Sequence, residues 1–183
     1  FREERRRASV LIERTALMKA LMNSSDARLV TLVAGPGFGK TVVMQQYQES
    51  LRAGGTHVAW MTTSICDDRY ERFLTALSRV MSEILGEAGS AELSGLARIA
   101  PAGEQEIAGT LRDMLNGANQ PFVLFIDGFE VIKNPEIALF MRLFVSFLPR
   151  GTQVLLAPRR NPCLLLRSFR ARGELIQIDQ TGF

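Results

Sequence analysis

Apolar residues along the chain alternate between two patterns, short unbroken runs and the three-to-four-residue repeat of an amphipathic helix. The run FVLFI at residues 122–126 is typical of a strand buried on both faces, whereas Phe73 and Leu77 belong to a stretch with helical spacing. Such alternation is typical of a parallel sheet covered by helices. The pattern predicts strands at 30–34, 57–62, 122–127, 153–157 and 174–179, and helices at 9–22, 39–52, 67–85 and 104–115.

Two stretches without a clear apolar repeat predict an edge strand and a surface connection. Residues 57–62 mix apolar and small polar side chains, which suits an edge strand with Trp60 in the core and His57 at its start. His57 is the one histidine of the chain, so a metal site or a catalytic triad built on it is not expected. Residues 87–103 are rich in Gly, Ala and Ser, and they predict a surface connection with one helical turn.

The most informative motif is an apolar strand that ends in a glycine-rich turn. Residues 29–41 read LVTLVAGPGFGKT, the layout of a phosphate-binding loop with Ala34 in place of the usual first glycine. Glycines let the backbone N–H groups surround phosphates, Lys40 would reach the β and γ phosphates, and the Thr41 hydroxyl would bind Mg²⁺. The loop therefore predicts a nucleotide, such as ATP or ADP, with Mg²⁺ as ligands. The candidate nucleotide contacts in this region are Gly35, Gly37, Phe38, Gly39, Lys40, Thr41 and Val42.

A carboxylate follows the most apolar strand. Asp127 comes directly after FVLFI, and ligands bind at the carboxyl ends of strands in α/β sheets. Together with the loop, and in this order along the chain, Asp127 predicts the second Mg²⁺ element opposite Thr41. The strand at 153–157 leads into Arg159, which could touch the γ-phosphate or could be a solvated turn residue.

Size, cysteine content and charge exclude other classes of protein. The chain has 183 residues and is 46% hydrophobic, which suits one α/β domain with a full core. No apolar run is long enough to cross a bilayer and no signal peptide is evident, so we expect a cytoplasmic protein without membrane contact. Cys66 and Cys163 predict neither a zinc site nor disulfides. The net charge of +3 includes arginine clusters at both ends, but no helix-turn-helix or zinc finger accompanies them, so nucleic-acid binding is the weaker interpretation.

Five segments together resemble a known family. They are LIERTALMKAL, AGPGFGKT, VAWMTT with the following RFLTALSRV, VLFIDGFEVI and LLAPRRNPCLLLRSFRARGEL, and they extend over nearly the whole chain. The sequence is similar to the nucleotide-binding domain of MalT-like LuxR-type transcription regulators, within the STAND class of signal-transduction ATPases. The last segment is the most specific, because a strand, an arginine turn and a closing Arg-Ala-Arg-Gly-Glu-Leu are unusual together.

The resemblance implies an α/β P-loop NTPase fold, with a five-stranded, mainly parallel sheet and helices on both faces. It implies that an extra strand separates the strand before the loop from the strand before Asp127. It also implies that Arg159, or its neighbour Arg160, senses the γ-phosphate, and that the lead-in around Ile12 and Arg14 packs near the adenine. On this basis residues 1–28 form an N-terminal lead-in helix segment and residues 29–183 form the nucleotide-binding core.

The chain departs from the family at the position where hydrolysis would need a base. Many relatives carry a second acid directly after the Mg²⁺ aspartate, and here that position is Gly128. Lys40, Asp127 and Glu130 are therefore the candidate catalytic residues, with Glu130 a substitute base only if its side chain reaches the site. We expect slow hydrolysis.

These features predict a regulatory ATP switch, one module of a larger protein. Its winged-helix, repeat and helix-turn-helix portions are expected to lie outside this chain, which itself would not contact DNA. ATP would favour an active, self-associating arrangement, and hydrolysis would release it. Two alternatives stay open: a small-molecule kinase, which usually needs a lid and an acceptor pocket, and a nucleic-acid-stimulated P-loop ATPase, which would use the arginine clusters.

Overall fold

The core of the molecule is a five-stranded parallel sheet. The computed structural model describes residues 15–98, 103–118, 120–159 and 169–179. The strands β1 (Leu29–Val33), β2 (His57–Thr62), β3 (Phe122–Asp127), β4 (Gln153–Ala157) and β5 (Leu175–Asp179) pair in the order β2-β3-β4-β1-β5. All four pairings are parallel. The α/β P-loop NTPase fold is therefore confirmed, and β4 is the extra strand between β1 and β3.

Helices cover both faces of the sheet. They are α1 (15–22), α2 (Lys40–Ala53), α3 (Tyr70–Gly95), α4 (Glu104–Asn116) and α5 (Pro135–Phe147), with short 3₁₀ turns at Ile65–Asp67, Leu96–Arg98 and Phe129–Val131. Helices α1 and α2 pack in one apolar core, and α3, α4 and α5 pack in the other. The first part of the predicted lead-in helix, residues 9–14, lies outside the described residues.

The two cores explain why the central strands have unbroken apolar sequences. In β3, Leu124 and Ile126 join the core beneath α3, α4 and α5, while Val123 and Phe125 join the core beneath α1 and α2. All four are buried. Because successive side chains of a strand point to opposite faces, a strand buried on both faces needs an apolar residue at every position.

The prediction of a surface connection is wrong for residues 87–98, while residues 99–102 lie outside the described residues. Helix α3 continues to Gly95 through a kink at Gly86, where φ is 70° and ψ is 180°, and a 3₁₀ turn follows. Leu93 is 0% exposed and Leu96 is 1% exposed. The Ser90 hydroxyl also donates a 2.8 Å hydrogen bond to the carbonyl of Ser78. Burial of the two leucines stabilises the end of the helix and the turn after it, although their Gly and Ser content alone disfavours a helix.

Helix α5 has no counterpart among the predicted elements, although its signals are present in the sequence. The Asn134 side chain caps the helix by accepting a 2.8 Å hydrogen bond from the Glu136 N–H, and Pro135 occupies the first turn. Ile137, Phe140 and Phe144 follow at helical spacing and are fully buried.

Strand β2 forms one edge of the sheet, as predicted. His57 lies exposed at the strand start, where its Nε2 contacts the Gln120 side-chain oxygen. Trp60 is half-buried and stacks on Phe125 with ring centroids 5.3 Å apart. It therefore packs at the border of the core rather than at its centre.

Candidate nucleotide-binding site

The glycine-rich loop joins β1 to α2 in a conformation that two of its glycines require. Gly37 has a φ of 84° and Gly39 a φ of 77°, both in the left-handed region that other residues rarely adopt. Gly39 is also the N-cap of α2, and no side chain caps this helix. The N–H groups of the first turn and the positive end of the helix dipole therefore suit an anionic ligand such as a phosphate.

Lys40 is held against the carbonyl side of the loop. Its side chain is buried, and its ammonium donates hydrogen bonds to the carbonyl oxygens of Ala34 and of Gly35, the latter at 3.0 Å. Burial lowers the pKa of this ammonium below its usual value, while the carboxylates of Glu130 and Asp127 act in the opposite direction. At this position the Lys40 ammonium would attract the phosphates of a nucleotide, whereas the carboxylates of Glu130 and Asp127 would attract a cation bound to those phosphates.

The hydroxyl of Thr41 meets the carboxylate of Asp127 across the end of β4. The Thr41 Oγ1 donates to Asp127 Oδ2 at 2.9 Å. Thr41 lies in the first turn of α2, which follows β1, and Asp127 ends β3. Strand β4 alone separates β1 from β3, so the loop after β1 and the end of β3 lie near each other at one edge of the sheet. The structure thus brings together the two residues that the sequence assigns to Mg²⁺.

The Thr41 hydroxyl and the Asp127 carboxylate are suitable ligands for a Mg²⁺ ion that also binds the phosphates of a nucleotide. Mg²⁺ in phosphate sites uses one or two protein oxygens, substrate phosphates and several waters. Among residues 15–98, 103–118, 120–159 and 169–179, no group of three or more His, Cys, Asp or Glu side chains could hold a metal. A Mg²⁺ ion at Thr41 and Asp127 would complete its coordination with phosphate oxygens and waters.

The loop after β2 fixes the backbone at Asp127. Both the N–H and the hydroxyl of Thr63 donate to the Asp127 carbonyl oxygen, at 2.9 and 3.0 Å. Gly128 follows with a φ of 77°, and a Cβ built on it would lie 3.1 Å from the Thr63 carbonyl oxygen. The position directly after Asp127 is therefore shaped for glycine.

Arg159 and Glu130 form an ion pair at the rim of the site. Glu130 Oε1 lies 3.0 Å from Arg159 Nε, and Oε2 accepts a 3.2 Å hydrogen bond from the Arg159 backbone N–H. Arg159 follows β4, and Glu130 lies in the 3₁₀ turn after β3. Because β3 and β4 are adjacent, the residues that follow them lie side by side.

These residues surround one cavity of about 500 Å³ at the carboxyl edge of the sheet. Of the candidate residues, those that line it are Gly37, Gly39, Lys40, Thr41, Val42, Asp127, Glu130 and Arg159. Gly35 and Phe38 do not line it: Phe38 is 48% exposed, and its ring would lie 3.5 Å from a Cβ on Gly35. Ile12, Arg14 and Arg160 lie outside the described residues.

The cavity also has lining residues that the sequence analysis did not name as candidate contacts. They are Pro36, Thr62, Thr63, Gly128, Val131 and Ala157. Thr63 is the most informative of them, because its buried hydroxyl holds the acid loop in place. A pair of polar threonines directly after the apolar part of β2 was the available signal, since strand ends face ligands in such sheets.

Comparison with known proteins identifies the family. The model of the AAA ATPase domain matches residues 11–156. The chain belongs to the AAA ATPase domain family. The matched region includes Lys40, Thr41 and Asp127, while Arg159 follows its last residue. Membership of this ATPase family and the geometry of the loop agree on nucleotide binding.

Among curated relatives, the AAA ATPase domain is similar to part of the HTH-type transcriptional regulator MalT. It is 26% identical to MalT of Klebsiella pneumoniae subsp. pneumoniae over 167 residues, covering 91% of this chain and 18% of MalT. With MalT of Cronobacter sakazakii the identity is 27% over 168 residues, with the same coverage. The chain therefore spans about a fifth of the length of these relatives, and its resemblance to a MalT-like nucleotide-binding domain is confirmed.

Solved structures confirm the fold of the domain. The structure titled Drosophila ORC bound to AT-rich DNA and Cdc6 gives a TM-score of 0.60 at 12% identity, covering 94% of this chain and 55% of that one. A second Drosophila ORC structure, bound to DNA, gives 0.58 at 13% identity over 94% of this chain and 91% of that one. At these identities the likeness concerns the fold alone.

Within the described part of the chain, no helix is long and apolar enough to span a membrane.

Proposed function

We propose that this AAA ATPase domain binds ATP with Mg²⁺ and serves as the regulatory switch of a MalT-like transcription regulator. The observation that carries the proposal is the 2.9 Å contact of Thr41 with Asp127 beside Lys40, because it joins the phosphate loop to the acid strand at one cavity. A glycine-rich loop alone would support only an anion site.

Each residue has a chemical task in this proposal. Lys40 and the N–H groups at the start of α2 bind the β and γ phosphates, and Thr41 and Asp127 bind Mg²⁺. Arg159 lies on the same cavity and would contact the γ-phosphate, which ADP lacks. ADP would therefore bind through the same loop, but with one contact fewer.

The proposed hydrolysis is slow. A general base must lie within hydrogen-bond reach of the attacking water. Gly128 brings no carboxylate to the position next to Asp127, and both oxygens of Glu130 contact Arg159. Glu130 could serve as a base only after this contact opens, which supports turnover well below that of an ordinary enzyme.

In the wider protein, nucleotide state would set the arrangement of further domains. We propose a cytoplasmic STAND-class signal-transduction protein in which ATP favours a self-associated, active form and hydrolysis releases it. The relatives are more than five times as long as the region they share with this chain, as the 18% coverage shows. DNA binding is assigned to parts of such a regulator other than this domain.

The test is a pair of measurements on the purified 183-residue chain. Calorimetric titration with Mg²⁺ should give tighter binding of ATP than of ADP, and Arg159→Ala should reduce that preference. Phosphate release should proceed well below the enzyme median of about 10 per second. Fast hydrolysis would contradict the switch, strong stimulation by nucleic acid would favour a nucleic-acid-dependent ATPase, and phosphate transfer to a small acceptor would favour a kinase.

A further inference from the structure

The ion pair between Glu130 and Arg159 is built unevenly. The side chain of Arg159 is 64% exposed, whereas that of Glu130 is 19% exposed. Both carboxylate oxygens are used, one by the guanidinium at 3.0 Å and one by the arginine's own backbone N–H at 3.2 Å. The carboxylate therefore contacts the backbone of Arg159 as well as its guanidinium.

The backbone that carries Glu130 is fixed at both ends. On one side, Thr63 holds the Asp127 carbonyl with two hydrogen bonds. On the other side, the Asp68 carboxylate accepts hydrogen bonds from the N–H groups of Lys133 and Asn134 at 2.6 and 2.7 Å. The backbone around Glu130 is thus anchored, and of the two paired side chains that of Arg159 is by far the more exposed.

Glu130 also lies within the electrostatic environment of the phosphate loop. It lines the same cavity as Lys40 and Arg159, and its charge acts on the Lys40 ammonium. A carboxylate and a terminal phosphate are the same class of acceptor for a guanidinium. An anion bound at the γ position and the Glu130 carboxylate would therefore compete for Arg159.

We propose that Glu130 is a specificity-determining residue that competes with the γ-phosphate for Arg159 and so limits the preference of the domain for ATP over ADP. ADP leaves the pair intact, whereas ATP gains its extra contact only by separating it. The exchange is inexpensive, because an ion pair whose guanidinium is 64% exposed contributes little to stability. The inference rests on the proposed nucleotide site, and it assigns to Glu130 a role other than that of a base.

The test compares ATP and ADP affinities, measured with Mg²⁺, for the wild-type chain, Glu130→Gln, Arg159→Ala and the double variant. Glu130→Gln should tighten ATP binding by about threefold to tenfold and change ADP binding by less than about twofold. In the Arg159→Ala background, Glu130→Gln should have no selective effect, because the residue that transmits it is gone.

Two further variants separate reach from charge. Glu130→Asp keeps the charge but is one methylene shorter, so its ATP-to-ADP affinity ratio should lie between those of the wild type and Glu130→Gln. Glu104→Gln is the matched control: it removes a carboxylate from another exposed ion pair, with Arg142 at 2.6 Å, and should leave both affinities unchanged.

Three results would overturn the inference. The first is an unchanged ATP-to-ADP ratio in Glu130→Gln, and the second is a selective gain that persists in the double variant, which would indicate general charge repulsion. The third is a loss of turnover with unaltered affinities, as expected of a base. Absence of nucleotide binding by the wild-type chain would instead refute the proposed function, and this inference with it.

Discussion

Replacement of Gly128 by alanine should destabilise the domain through two separable effects. The residue has a φ of 77°, and an added Cβ would lie 3.1 Å from the Thr63 carbonyl oxygen. Thr63 cannot retreat freely, because its N–H and hydroxyl both hold the Asp127 carbonyl oxygen, at 2.9 and 3.0 Å. The substitution therefore combines an unfavourable backbone conformation with a close contact.

Gly55 allows the two effects to be separated. Its φ is 81°, but a Cβ at this position meets nothing within 4 Å. A left-handed conformation costs a residue other than glycine roughly 1–2 kcal/mol, and the stiffer unfolded chain returns about 0.4–1 kcal/mol. Gly55→Ala should thus lower the free energy of unfolding by about 1 kcal/mol. The close contact should add about 1 kcal/mol more in Gly128→Ala, for a total of about 2 kcal/mol.

Denaturant unfolding of the wild type and both variants measures the difference. On thermal unfolding, each kcal/mol should lower the Tm by about 2–4 °C for a domain of this size. Equal losses in Gly128→Ala and Gly55→Ala would show that the backbone conformation accounts for the whole effect. A Gly128→Ala protein as stable as the wild type would refute the claim that this position is shaped for glycine.

Two other substitutions test the acid strand and a buried tyrosine. Asp127→Asn keeps an acceptor for the Thr41 hydroxyl, so the domain should fold but lose most of the Mg²⁺-dependent part of its ATP affinity. Titrations of ATP with Mg²⁺ and with EDTA measure that part. An unchanged Mg²⁺ dependence in the variant would contradict the assignment of Asp127 to Mg²⁺. Burial raises the pKa of Tyr70 from 10.0 to about 12, so the unfolded chain loses this proton first and the free energy of unfolding should fall as pH rises from 10 toward 12. Tyr70→Phe should lessen that fall and leave stability at pH 7 nearly unchanged, since the Tyr70 hydroxyl is buried without a hydrogen-bond partner in the described structure. An equally steep fall with pH in the variant would contradict the assignment of the pH dependence to Tyr70.

Local sequence patterns predicted the parts of the site that depend on neighbouring residues. The loop from Ala34 to Thr41 and the run ending at Asp127 are each readable within a few positions, because glycine spacing and unbroken apolar runs have local physical causes. The 2.9 Å contact between Thr41 Oγ1 and Asp127 Oδ2 could be predicted only with the strand order. The position of β4 between β1 and β3 was expected from the family resemblance alone.

Contacts between distant segments were not readable in this way. Glu130 and Arg159 are 29 positions apart, and they meet because Asp127 pairs with Ala157, which sets the turns after β3 and β4 side by side. The second half of α3 was misread for a related reason. Its Gly and Ser residues indicate a loop, and the burial of Leu93 and Leu96 that overrides this preference depends on other elements.

The central claim is that the glycine-rich loop binds the phosphates of ATP. Calorimetric titration of ATP with Mg²⁺ into the wild-type chain and Lys40→Ala tests it most directly, with Lys19→Ala, which removes an exposed lysine of α1, as the control. Loss of the charge-assisted contacts should weaken binding in Lys40→Ala by roughly 1.5–3 kcal/mol, about 10- to 150-fold, while Lys19→Ala binds as the wild type does. Equal ATP affinity in the wild type and Lys40→Ala would contradict the account.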